Sequence, residues 1–61
     1  MQRFILMIKG PGFDDIQEIE LLSPPEDGEV VETKYGACIV TATERLPESD
    51  QFDGKIACRM P

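Results

Sequence analysis

Turn-forming residues limit what this chain can become more than any motif does. Gly10-Pro11-Gly12, Ser23-Pro24-Pro25, Asp27-Gly28, Gly36, Pro47 and Gly54 punctuate it, and the segments between them run to ten residues at most. That is short for a helix and ample for a strand. The local pattern then decides each segment.

Residues 2–8 (Gln-Arg-Phe-Ile-Leu-Met-Ile) form an apolar run closed by Lys9 and the Gly-Pro-Gly turn. A short apolar run bounded by turn signals reads as a buried strand. Residues 13–22 carry two periods at once. Phe13, Ile16, Ile19 and Leu22 recur every three residues, and Asp14 and Asp15 suit a helix's first turn. Ile19 and Leu21, however, alternate with Glu18 and Glu20, which is the strand period. A strand over 17–22 is preferred, with a short helix near 13–22, in an α+β fold, as the alternative. Pro25-Glu26-Asp27-Gly28 is a turn, because Asp-Gly supplies positive φ. From Glu29 to Arg45 the chain is rich in Val, Thr, Ile and Tyr, which fit a pleated surface. Gly36 interrupts it, and strands 29–34 and 37–44 joined as a hairpin at Lys34-Tyr35-Gly36 are preferred, with one long bent strand as the alternative. After a polar loop over 46–54, Ile56, Cys58 and Met60 alternate along a last strand, 55–60.

Five short strands with short connections predict a single all-β domain over residues 1–61. Its expected form is a small five-stranded barrel, SH3-like or OB-like, or a curled antiparallel meander. A chain of 61 residues buries only about 60% of the surface exposed by its unfolded form. A disulfide, a metal or a partner subunit commonly supports domains of that size.

Cys38 and Cys58 carry the sharpest spatial expectation. Pairing strand 37–44 with strand 55–60 so that residue 41 faces 55 sets Cys38 opposite Cys58. Cys38, Val40 and Ala42 then share a face with Ile56, Cys58 and Met60. Opposed strand residues lie within disulfide reach. The cytoplasm is the default compartment, and disulfides are rare there, so two buried free thiols are the favoured state and a bridge the alternative. No histidine and no Cys-x-x-Cys is present, so neither a metal site nor a cofactor is expected.

The net charge is −6, and it is not spread evenly. Residues 13–32 hold Asp14, Asp15, Glu18, Glu20, Glu26, Asp27, Glu29 and Glu32 without one base. This balance opposes direct nucleic-acid binding, which needs Lys and Arg on phosphates, and adhesion to anionic membranes. It allows a basic protein partner steered to the acidic stretch. A solvated face that protects strand edges explains the same acids.

Catalysis has little to stand on. Without histidine the usual base for a Ser or Cys nucleophile is missing, and so small a core can scarcely spare a pocket. The chain reads as a non-enzyme. Recognition could use Tyr35, Phe52 and Arg45, residue types enriched at interface hot spots, although both aromatics could instead fold back on the core.

Three functional expectations follow. The leading one is an interaction module that binds a protein partner or self-associates. The second is an inhibitor or nucleic-acid mimic that uses Glu18, Glu20, Glu29 and Glu32 against a basic nucleic-acid-binding protein. The third is a redox-responsive domain built on Cys38 and Cys58.

Overall fold

The computed structural model describes residues 1–61 and is all-β. Its strands are β1 (Gln2–Gly10), β2 (Phe13–Leu21), β3 (Val30–Thr33), β4 (Gly36–Arg45) and β5 (Gly54–Arg59). They form one five-stranded sheet in the order β2-β1-β5-β4-β3. No helix of the protein is long and apolar enough to cross a membrane.

Two antiparallel units build the sheet. A tight turn at Pro11-Gly12 folds β2 onto β1 along its whole length, from Gly10↔Phe13 to Gln2↔Leu21. Gly12 takes the positive φ that the turn demands (82°). Strands β3, β4 and β5 follow as an antiparallel meander. The units join where β1 lies parallel to β5, from Phe4↔Gly54 to Lys9↔Arg59. The chain thus departs from a simple meander at one of its four pairings.

Alternation along β1 puts Phe4, Leu6 and Ile8 in the core and turns Ile5, Met7 and Lys9 outward. The core is completed by Val31, Cys38, Val40, Ile56 and Cys58. Phe13, Ile19, Leu21 and Met60 pack against its margin. The apolar run at 4–8 is therefore buried on one face only.

The helix alternative for residues 13–22 is not realised. Every residue from 13 to 21 pairs with β1, and burial alternates strictly. The three-residue spacing of Phe13, Ile16, Ile19 and Leu22 was a coincidence of strand periods, since Ile16 and Leu22 point to solvent. The strand begins four residues earlier than the preferred 17–22.

The sheet curls until the turn between β3 and β4 touches the opposite edge strand, β2. The β3–β4 turn reaches across to β2, where the Tyr35 and Phe13 rings lie 4.8 Å apart and tilted by 51°. The Tyr35 hydroxyl donates to Asp15 Oδ2 at 2.6 Å, and Lys34 Nζ lies 3.4 Å from the same oxygen. The connection over 22–29 is tied to β4. Gly28 N–H donates to Val40 O, Val40 N–H to Glu29 O, and Thr43 Oγ1 to Pro25 O.

The cysteines are bridged, with Cα atoms 5.7 Å apart, so the favoured free-thiol state does not hold. The pairing reaches this bridge by a different register from the one expected. Cys58 faces Val40, and Cys38 lies two residues further along the same face. The cause is a bulge between Val40 and Ala42. Before the bulge Arg45 pairs with Gly54 and Thr43 with Ile56. Continued unchanged, that register would set Thr41 against Cys58 and turn Val40 and Cys38 to solvent. One extra residue restores the buried face, and Thr41 instead donates its hydroxyl to Ala57 O.

Candidate functional site

The sequence-derived candidates do not converge on one place. Glu18 and Glu20 lie on the outer face of β2, at one edge of the sheet. Glu32 lies on β3, at the other edge, and Glu29 just before it. Basic residues also interleave with the acids. Arg3 Nη2 contacts Glu18 Oε1 at 2.9 Å, while the register sets Arg3 beside Glu20 and Lys9 beside Asp14. Phe52 is half-buried, with the Arg3 guanidinium 5.4 Å from its ring centre.

Tyr35 belongs to the clasp that closes the curl. Asp15 accepts from Tyr35 and from Ile16 N–H and faces Lys34. The Tyr35 hydrogen bond, then the Ile16 amide, hold the Asp15 carboxyl below its ordinary range. The same hydrogen bond to a carboxylate holds the Tyr35 phenol above its ordinary value of 10.0. Neighbouring negative charge, from ionised Tyr35 first and then Asp15, raises Lys34. Three interacting groups of this kind stabilise the contact between the β3–β4 turn and β2.

Cys38 and Cys58 are 0% and 2% exposed. A bridge so enclosed offers an attacking thiolate no path, and thiol–disulfide exchange depends on access. Its place between β4 and β5 is that of a staple.

The residues that do come together were not singled out by sequence. On the outer face, register aligns Ile16 of β2, Met7 of β1, Ala57 of β5 and Ala42 of β4 in one row across four strands. Ile16 is 66% and Met7 40% exposed. The row on one side holds Glu18, Ile5, Lys55 and Glu44, and the row on the other holds Asp14, Lys9, Arg59, Ile39 and Val30. An apolar band is thus rimmed by charges of both signs. Along it runs a groove of about 480 Å³ whose lining includes Met7, Ile16 and Ala57, the bases Lys9 and Arg59, and the acids Asp14 and Asp15.

A signal for this band was present in the sequence. A sheet solvated on one face alternates polar with apolar, yet Ile5 and Met7 sit between core residues in the run Phe4-Ile5-Leu6-Met7-Ile8. An unbroken apolar run in a one-sided strand marks an outer face that is itself apolar.

Thiol, acid and aromatic candidates therefore resolve into a staple, two dispersed edges and a clasp, and the outer groove is where exposed apolar side chains concentrate. No protein-family model, curated protein or solved structure matches the chain.

Proposed function

We propose that the chain is a non-catalytic protein-binding module whose recognition surface is the outer face of β2, β1, β5 and β4. The observation that carries this reading is the row Ile16–Met7–Ala57–Ala42, apolar across four strands and open to solvent. Contiguous apolar surface rimmed by polar groups is the usual composition of an interface. The rigid sheet beneath it supports binding without a large ordering cost.

The enclosed disulfide supports action in an oxidising compartment, where such bridges persist, in preference to the cytoplasm. It favours a structural role for the cysteines over redox signalling. The dispersal of Glu18, Glu20, Glu29 and Glu32 over two edges, with Arg3 and Lys9 interleaved, gives a nucleic-acid mimic little continuous negative surface.

The test is affinity capture with the oxidised protein and with a Met7→Glu, Ile16→Glu double variant. Both side chains are exposed, so stability should change by no more than about 0.5 kcal/mol per site. A partner held by the parent and by a Glu29→Gln, Glu32→Gln variant, but lost from the band variant, is the expected result. A partner lost only when the acids are neutralised would refute this assignment of the surface.

A further inference from the structure

The charges along the groove specify the partner's chemistry, given the protein-binding reading above. Acids outnumber bases twelve to six in this chain, and Arg3, Lys34 and Lys55 each have an acid within 4 Å. Lys9, Arg45 and Arg59 do not. Two of these three, Lys9 and Arg59, are register partners on the parallel strands β1 and β5. Both point outward, beside the apolar row. Like charges set opposite each other on neighbouring strands destabilise a sheet. Asp14 flanks Lys9 on its far side, but the other neighbour of Arg59 is Ile39. The guanidinium therefore has no acid at either register position, in a protein with acids to spare.

We infer that the groove takes a segment of a partner protein in which a carboxylate, held by Lys9 and Arg59, follows apolar side chains seated on Met7, Ile16 and Ala57. Arg binds a carboxylate in a two-pronged, planar geometry, and Lys adds a point charge beside it. The groove of about 480 Å³ falls in the range of recognition clefts. Packed band to band in either regular two-fold arrangement, a second copy of this chain does not supply the carboxylate. Laid face to face about a two-fold along the strands, it sets Lys9 against Arg59 and Glu18 against Glu44. About a two-fold across the strands, it sets Lys55 against Arg59 and Glu18 against Asp14. Each arrangement opposes like charges, so the fitting partner is another protein.

Panning a random-peptide phage library on the immobilised, oxidised protein tests this. The consensus peptide is then synthesised and titrated against three proteins: the parent, Lys9→Gln with Arg59→Gln, and Met7→Ser with Ile16→Ser. Far-UV circular dichroism and oxidised mass verify that each variant is folded. The expected consensus places Asp or Glu beside apolar residues. Its affinity should fall about tenfold or more in the Lys9, Arg59 variant, the loss typical of a charge-assisted contact, and also fall in the Met7, Ile16 variant. An apolar consensus without an acid, indifferent to the Lys9, Arg59 variant, overturns the carboxylate while leaving the band as a binding surface. A basic consensus overturns it in favour of the acidic edges. Failure to enrich any sequence above an unrelated control protein overturns both the carboxylate and the band.

Discussion

Tyr35 is the only tyrosine and the chain has no tryptophan, so its ionisation can be followed by absorbance near 295 nm without interference. The phenol should titrate above 10.0, and Asp15→Asn should move that midpoint down toward the ordinary value. A midpoint unchanged by the substitution would dissolve the clasp as described. Acid stability gives the complementary readout. The folded-state pKa of Asp15 is depressed, so its contribution is complete above the ordinary carboxylate pKa. It is lost as pH falls through the lower folded value. The parent should therefore lose stability on acidification below the ordinary carboxylate range more steeply than Asp15→Asn, as urea midpoints across that range would reveal. Gly54 offers a test of packing. A Cβ there would sit 2.8 Å from the Glu44 carbonyl oxygen and 3.0 Å from the Phe4 ring. Backbone cannot yield as a side chain can, so Gly54→Ala should cost about 1–3 kcal/mol in urea unfolding.

At the scale of elements, the bulge absorbs one surplus residue so that the bridge can form on the buried face. Deleting Thr41 removes that residue and leaves a regular ladder in which Ala42 faces Ala57 and Val40 still faces Cys58, so Val40 and Cys38 stay in the core. The deletion variant should therefore still show the two-proton mass deficit of the bridge. A deletion variant that no longer oxidises would show that the bulge does more than take up the extra residue. The bridge itself closes a loop with a sequence separation of 20. Reducing it should cost about 3 kcal/mol on the loop-entropy account, measured by urea unfolding with and without reductant. Because both sulfurs are enclosed, native protein should resist reductant until denaturant opens the sheet.

These elements also mark the limit of what sequence can convey. Turn residues and β-branched segments determined the strand count, the Lys34-Tyr35-Gly36 hairpin and the proximity of Cys38 to Cys58. The register of β4 on β5 was not legible, because a bulge inserts one residue without a distinctive side chain, and Thr41 resembles any strand threonine. The outer band was legible only in part, since the apolar run places Ile5 and Met7 on the second face of β1 but not the Ile16, Ala57 and Ala42 that the register sets beside Met7. The clasp was half visible. Tyr35 stood out as a turn aromatic, whereas its partner Asp15 lies 20 residues away among eight acids.

In the whole molecule, one parallel pairing unites the two antiparallel units. Arg3 and Asp53 exchange hydrogen bonds across a separation of 50 residues, a long loop to close before the core can form. Contacts of such separation slow folding. Ile56→Val, at the β1–β5 seam, should therefore lower the refolding rate in stopped-flow experiments, whereas Val31→Ala, on the edge strand β3, should chiefly raise the unfolding rate. The opposite partition would place the nucleus in the β3–β4 hairpin. The seam has a mechanical consequence as well. Because β1 and β5 run in the same direction, force applied at Gln2 and Met60 pulls the two strands past each other along their shared ladder. Six register pairs, Phe4↔Gly54 to Lys9↔Arg59, then bear the load together, where a hairpin would unzip one bond at a time. Stretched end to end, this small sheet should act as a shear clamp that holds and then gives way in a single event, while the bridge between Cys38 and Cys58 keeps the chain between them from paying out.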